Sequence, residues 1–357
     1  MILLDSLFRN TLRNFNFNAS PIYFFMQYNS IENIFSAFSQ QRILIVGDVM
    51  IDSYLWGKVE RISPEAPVPI VHVQKRDKRL GGAANVAMNI QALGAEPVLC
   101  SVIGEDGSGT DFLNLLNEHR LPTEGVLQSK QRVTTIKHRI LSGHQHMLRV
   151  DQEDNSSLKP EESKELLKLV KQLAPTCQAV IFEDYDKGVL GEQLIREIID
   201  YANEIGVPTI VDPKKRNFLH YKGATLFKPN LKELKDGLKI DFNAEDTQEL
   251  KTAVAQLKEV LQVKQALVTL SELGVYMDNG SEKVHIPAHL RSIADVSGAG
   301  DTLVSVAALC LALQTSPGFT AALSNLAGGL VCEHVGVVSI NKQKLMEEAI
   351  KHNIFQQ

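Results

Sequence analysis

The run Asp295-Val296-Ser297-Gly298-Ala299-Gly300-Asp301 sets three small residues and an acid at the mouth of a helical stretch over 302–313. Small side chains let backbone N–H groups crowd an anion, and a helix N-terminus adds partial positive charge. Asp301, held in that turn, stands beside a transferring phosphate, where it can take a proton from an attacking hydroxyl. A tight turn with Asp301 as a helix cap has the same spacing, and spacing alone does not separate the two. Gly81-Gly82-Ala83-Ala84-Asn85 opens another helix. Its glycines permit close backbone approach to a ligand, and Asn85 offers a hydroxyl both a donor and an acceptor. Gly47-Asp48-Val49-Met50-Ile51-Asp52 sends two acids from the carboxyl end of the first strand, the end that faces the ligand crevice in open α/β sheets. Two solvated loop acids fit that pattern equally.

These residues need a scaffold, and one is legible from Arg42 onward. Short apolar runs at 43–46, 97–102, 179–182, 208–211, 224–227 and 266–270 read as strands. Helical spacings at 84–93, 106–119, 161–173, 192–203 and 244–261 alternate with them. That alternation predicts a mostly parallel sheet covered on both faces. Two segments break the rhythm. One carries strand-like 54–58 and 68–75 around Pro64, Pro67 and Pro69. The other pairs 134–142 with 147–151 across Gly143-His144-Gln145-His146, a hairpin pattern. Both are lid candidates, and open strand edges at 54–58 and 68–75 would let two copies pair.

Several classes are excluded. No G-x-x-x-x-G-K-[ST] occurs and no G-x-G-x-x-G follows a strand, so neither a P-loop nor a dinucleotide site is supported. A formal charge of −5 exerts no long-range pull on nucleic acid or an anionic membrane. No apolar run approaches the roughly 18 residues of a membrane span. Cys100, Cys177, Cys310 and Cys332 are too scattered for zinc or a disulfide framework and read as buried, reduced thiols. His144 and His146 lack a third ligand. Residues 1–40, crowded with Phe and Asn, read as an extension that is poorly ordered at least to 25.

Taken together, the three glycine-and-acid segments resemble the ribokinase-like (PfkB-type) carbohydrate kinases over roughly residues 40–340. Asp295–Asp301 is similar to that family's C-terminal D-T-x-G-A-G-D signature, with Val296 in place of the usual Thr. Within the family, Arg61-Ile62-Ser63-Pro64-Glu65-Ala66-Pro67-Val68-Pro69, Asp184-Tyr185-Asp186-Lys187-Gly188, Asp212-Pro213-Lys214 and Pro229-Asn230-Leu231-Lys232-Glu233 resemble the bacterial heptose-7-phosphate kinases.

The resemblance implies a three-layer α/β/α sandwich with a small β-sheet lid. The kinase domain would span 41–345, with lid inserts at about 53–75 and 132–151 and a tail over 346–357. It implies ATP and Mg²⁺ as cofactors, and K⁺ as in several relatives. Asp301 would be the catalytic base, and Gly298, Ala299 and Gly300 the anion hole. Asn230, Leu231, Lys232 and Glu233 would organise the nucleotide phosphates, with Glu233 meeting Mg²⁺ indirectly. Ser271, Gly274 and Asn325 would line the nucleotide site, and Asp295 would shape a monovalent-cation site. Asp52, Gly81, Gly82 and Asn85 would hold the sugar. Lys137, Arg139, Arg149, Lys187 and Lys214 are the candidates for the sugar's own phosphate, although Gly143 stands where a relative carries Arg.

The expected reaction is ATP-dependent phosphorylation of D-glycero-β-D-manno-heptose 7-phosphate at its anomeric hydroxyl, toward ADP-heptose for lipopolysaccharide. A cytoplasmic homodimer paired through lid strands is expected, with no nucleic-acid or membrane partner. No H-x-G-H motif occurs, so the kinase activity alone is expected. Two alternatives stay open. One is a PfkB-type kinase for ribose, fructose, their phosphates or a nucleoside. The other is a non-catalytic sugar- or nucleotide-binding regulator on the same fold.

Overall fold

A computed structural model describes residues 28–143, 145–289 and 291–356. The disorder expected up to residue 25, and His144 of the hairpin, lie outside the described residues. The chain enters through α1 (Ile31–Phe38) and β1 (Arg42–Gly47), then leaves the main sheet for two long strands, β2 (Val49–Ile62) and β3 (Pro69–Gly82). It returns through α2 (Ala83–Ala92), β4 (Glu96–Gly104), α3 (Gly107–Glu118) and β5 (Val126–Ser129), and departs again as β6 (Ile136–Ser142) and β7 (Gln145–Gln152). Regular alternation follows in α4 (Pro160–Leu173), β8 (Ala179–Glu183), α5 (Glu192–Glu204), β9 (Thr209–Asp212) and β10 (Leu226–Phe227). Next come α6 (Leu231–Leu238), α7 (Thr247–Leu261), β11 (Gln265–Thr269), β12 (Val275–Asp278) and β13 (Lys283–Ile286). Helices α8 (Ala299–Ala312), α9 (Pro317–Val331) and α10 (Lys342–Lys351) complete the order.

The main sheet runs β13-β12-β11-β10-β9-β8-β1-β4-β5. From β5 to β11 all neighbours are parallel, as the alternation predicted. β12 and β13 add an antiparallel edge that the sequence reading lacked. The order reverses at β1, which has β4 on one side and β8 on the other. At such a switch point the carboxyl ends of the strands leave a crevice for a ligand. Alternate residues of β1 serve the two helical layers. Ile43 and Ile45 pack with α1, α2, α3, α8, α9 and α10, while Leu44 and Val46 pack with α4, α5, α6 and α7. Each such side chain removed from water stabilises the fold by about 1.5–3 kcal/mol. All four cysteines are buried and free, as expected. Among the described residues, no helix is long and apolar enough to cross a membrane.

The second sheet has the order β3-β2-β6-β7. Its strands outrun the predicted ends, because residues 76–79 are charged and lack apolar alternation, yet pair with residues 52–55 all the same. β2 is interior, antiparallel to β3 and parallel to β6. The open edge expected at 54–58 is therefore covered, and the sheet's outer strands are β3 and β7.

Both ends of the expected domain also shift. α1 lies ahead of residue 41, but Ile31, Ile34, Phe35 and Phe38 are buried in the main core. Ser30 caps it by accepting a hydrogen bond from the Asn33 amide at 3.3 Å. At the other end α10 crosses residue 345, and Leu345, Ala349 and Ile354 join the same core, so 346–354 is packed structure rather than a tail. Phe35→Ala should lower unfolding stability by about 3 kcal/mol, the usual loss for a buried Phe. Urea denaturation checks this, and an unchanged midpoint would show α1 to be dispensable.

Candidate active site

Parallel pairing lays three strand ends abreast at the switch point. Gly47 of β1 stands beside Glu183 of β8, which stands beside Asp212 of β9. Across from them comes the first turn of α8. Every residue of that helix from 301 to 311 is buried, so it is gripped on all sides by the sheet and its helical neighbours, and its start is fixed in place. Gly298 caps it with φ +82°, a left-handed conformation that glycine adopts without strain. The Ala299 amide closes a turn on the Val296 carbonyl at 3.3 Å. The next amides, Gly300 and Asp301, fall in the first turn, where a helix has no acceptor of its own. A side chain at Gly300 would stand 3.5 Å from Asp212 Oδ2 and 3.7 Å from Lys228 Nζ, so its bare face opens onto that ion pair.

Asp301 is buried, and each of its carboxylate oxygens accepts one strong hydrogen bond. Asn85 Nδ2 donates to Oδ2 at 2.7 Å, and the Tyr185 hydroxyl donates to Oδ1 at 2.7 Å. Asn85 arrives from the first turn of α2, and Tyr185 from the loop after β8. Burial raises the Asp301 pKa above the ordinary carboxylate range, against the pull of those two donors. Burial, with the Asp301 charge next, pushes the Tyr185 phenol well above its usual value and keeps it a donor. A carboxylate has about four lone-pair sites, so two remain on Asp301 to accept a proton.

The surroundings are dense in charge. Lys228 Nζ lies 2.9 Å from Asp212 Oδ2. Lys214 Nζ lies 3.0 Å from Glu233 Oε1 and 3.8 Å from Asp212 Oδ1, and sits 5.1 Å above the Tyr185 ring. Burial disfavours the Lys214 charge, but the carboxylates of Asp212, Glu233 and Glu183 together hold its pKa above normal. Glu183 is fully buried, and burial followed by the Asp212 and Asp301 charges pushes its pKa far up. One oxygen each of Glu183, Asp212 and Asp301 falls within 4.8 Å of the others, an oxygen-only set of the kind hard cations take.

The sugar-side candidates line the lid root. Asp52 is buried and ion-paired with Arg139, with Gly81 packed so closely on it that a side chain there would clash with Asp52 Oδ2. Gly82 caps α2 with φ +59°. Arg139 and Arg79 both flank the Tyr54 ring, at 5.4 and 4.9 Å. Lys137 forms no ion pair among the described residues and lies 5.7 Å from the Tyr185 ring, its pKa lowered by burial. Arg149 sits opposite Arg139 on β7 but is exposed and paired with Asp151 at 3.0 Å. Lys187 is paired with Glu153 at 2.9 Å. Asn85 holds Asp301 instead of facing open space. Asp48 is inside, its carboxylate accepting the amides of Tyr185, Lys187 and Val189 at 2.8, 3.1 and 2.9 Å.

Of the residues expected at the nucleotide, Asn230 and Glu233 form a reciprocal capping box at the start of α6. Glu233 N donates to Asn230 Oδ1 at 2.8 Å, and Asn230 N to Glu233 Oε2 at 2.9 Å. Leu231 and Lys232 follow in the same turn, with Lys232 exposed. Ser271 and Gly274 bound the tight turn between β11 and β12, both with positive φ. Asn325 on α9 donates to the Pro287 carbonyl at 2.9 Å. Asp295 accepts from the amide and hydroxyl of Ser297 and from the Gly336 amide, the last at 2.8 Å, and so ties down the loop before α8.

Four residues of this centre were not singled out from sequence: Tyr185, Glu183, Asp212 and Lys228. Tyr185 and Asp212 lay inside quoted motifs without an assigned role. Glu183 and Lys228 carried only a faint signal, a charged residue directly after an apolar strand run.

The model of the pfkB family carbohydrate kinases matches residues 40–344. A bifunctional protein HldE from Desulfatibacillum aliphaticivorans is 40% identical over 312 residues, covering 87% of this chain and 63% of its own length. The protein of that name from Methylobacillus flagellatus is 41% identical over 307 residues, 86% of this chain and 62% of its own. The chain thus spans under two thirds of the length of these curated relatives. Among solved structures, phosphofructokinase-2 from Escherichia coli in complex with potassium matches with TM-score 0.72 at 19% identity, over 86% of this chain and 99% of that one. Ribokinase from Arabidopsis thaliana, complexed with ribose and ATP, matches with TM-score 0.67 at 17% identity, over 86% and 99%. These likenesses carry the ribokinase-like fold, and the family match over residues 40–344 carries membership: the chain belongs to the pfkB family of carbohydrate kinases.

Proposed function

We propose that this phosphotransferase moves the γ-phosphoryl group of ATP to the anomeric hydroxyl of D-glycero-β-D-manno-heptose 7-phosphate, giving the 1,7-bisphosphate on the way to ADP-heptose. The observation that carries the reaction type is Asp301 itself, a buried carboxylate at a helix N-terminus, gripped by Asn85 and Tyr185. In this reading Asp301 takes the hydroxyl proton as the sugar oxygen bonds to phosphorus and the bridging oxygen leaves with ADP. The α8 amides receive the charge on the phosphoryl oxygens. Mg²⁺ supplies further charge neutralisation when bound with the nucleotide. Glu233 would meet it only indirectly, since both its oxygens already accept hydrogen bonds, from Lys214 and Asn230.

The sugar is argued from the lid. Asp52 and Arg139 suit hydroxyls, while Lys137, which alone of the five phosphate candidates has no carboxylate ion pair among the described residues, suits a phosphate oxygen. The Arg61–Pro69 stretch and the bifunctional relatives favour a heptose over ribose or fructose. Closure of the lid would keep water from the phosphoryl group. A homodimer through the lid strands belongs to the same reading; Ile62 and Val68 are exposed where β2 turns into β3.

A coupled assay with ATP and a panel of sugars tests the substrate. The heptose 7-phosphate should exceed its unphosphorylated counterpart in kcat/KM by roughly 10–100-fold, the worth of one charge-assisted contact. Faster turnover of ribose, fructose or their phosphates would move the assignment to another sugar of the family. Asp301→Asn should lower kcat by about 10²–10⁴-fold with nucleotide binding retained. Residual turnover near wild type would remove Asp301 from the role of base. Tyr185→Phe deletes a donor to the ionised carboxylate, so the Asp301 pKa rises further. A base works only when ionised, so activity is lost as pH falls through that pKa. The acid limb of the kcat profile should therefore move to higher pH.

A further inference from the structure

Arg79 has no part in the reaction described above, yet the lid sets it among residues that do. On β3 it pairs with Asp52 of β2, so the two side chains share one face of the second sheet. Lys137 and Arg139 of β6 pair with Asp52 and Tyr54 on that same face. All three nitrogens of the Arg79 guanidinium are engaged. Nε and Nη2 reach Asp77 Oδ2 at 3.0 and 2.9 Å, and Nη1 donates to the Val337 carbonyl at 2.9 Å. A fork filled in this way is a brace rather than a ligand for an incoming phosphate.

Val337 lies between α9 and α10, in a segment tied to the start of α8 at two points. The Gly336 amide donates to Asp295 at 2.8 Å, and Asp295 also holds Ser297, the residue before Gly298. Ile340 N donates to Asn89 Oδ1 at 2.9 Å, and that oxygen also accepts the hydroxyl of Thr302, the residue after Asp301. The lid meets the segment just as closely. The Tyr54 hydroxyl accepts Val337 N at 3.4 Å. A side chain at Gly336, where φ is +74°, would come within 3.0 Å of the Tyr54 oxygen and 3.2 Å of Arg79 Nη1. Arg139, the ion-pair partner of Asp52, flanks the same Tyr54 ring as Arg79.

We propose that Arg79 is a positioning residue that couples the sugar side of the site to the phosphate side. The coupling rests on the reading above, in which the sugar meets Asp52 and the γ-phosphoryl group meets the α8 amides. A sugar that fixes Asp52 and Arg139 fixes the Tyr54 ring and Arg79 with them. Arg79 then holds the 336–337 segment against the loop before α8, and the Gly298–Gly300 turn is set for a phosphoryl group. By linkage, each ligand tightens the other.

Isothermal titration calorimetry on the full chain tests this, using Mg²⁺ and the non-hydrolysable ATP analogue adenylyl imidodiphosphate, with and without saturating heptose 7-phosphate. The sugar should tighten analogue binding to the wild-type chain about fivefold or more, the lower end of ordinary coupling. In Arg79→Gln that factor should fall below about twofold, while the analogue alone binds as it does to the wild-type chain. Undiminished coupling in Arg79→Gln, or none in the wild type, would overturn the proposal. So would an equal loss of analogue affinity with and without sugar, the mark of a merely structural role. Should Arg79→Gln fail to fold, Tyr54→Phe keeps the ring, deletes the hydroxyl that meets Val337 N, and should reduce the same factor. Binding of the heptose 7-phosphate alone is read in the same titrations. If it does not bind, the substrate assignment fails, and coupling is read with the sugar that the panel turns over fastest.

Discussion

The proposed reaction asks Asp301 to be buried and yet ionised, and that constraint bears on the whole of this end of the molecule. Burial keeps water from competing for the phosphoryl group, but it also favours the neutral acid, which cannot accept a proton. Asp301 meets the conflict with two neutral donors at 2.7 Å and the positive end of α8. Each comes from a different part of the chain. Asn85 is set by the glycine-capped start of α2, Tyr185 by the loop after β8, and Asp301 by a helix too apolar to shift. The three-layer sandwich gives these parts a common frame, because its sheet ends stop abreast at the switch point.

The same frame shows how a chain of net charge −5 would serve the two anionic ligands proposed for it. Long-range attraction has no role. Lys214 and Lys228 are buried among carboxylates that hold them in place, and amides at a helix end need no counter-charge of their own. On that proposal the site would discriminate by position, since Lys214 and Lys228 are already held by carboxylates.

What could be read beforehand divides along physical lines. The Gly298–Asp301 turn, the Gly81–Asn85 turn and the parallel strands are local signals, carried by residues within a few positions of one another, and they were legible. The Lys137 and Arg139 strand could be placed on the lid for the same reason. Partnerships could not. That Asn85 faces Asp301 across 216 positions, or that Glu183 stands beside Asp212, follows from register and helix docking, which no short window encodes. Two acids of one motif, Asp48 and Asp52, looked alike in sequence. One turned inward to three loop amides, the other toward Arg139. Helix α1 was hidden in a stretch rich in Phe and Asn, and charged residues disguised the second half of β3.

The roots of the lid carry a consequence for how these parts can be exchanged. β2 begins one residue after Asp48, which holds the Tyr185 loop, and β3 ends at Gly82, which caps the helix bearing Asn85. Val49 and Gly82 pair directly, so both joints lie side by side. The lid is therefore no detachable module with its own boundary. A graft cut at these two points would sever the chain at the supports of the base, and a lid transplanted from a relative could preserve its own contacts to sugar while leaving Asp301 without its donors.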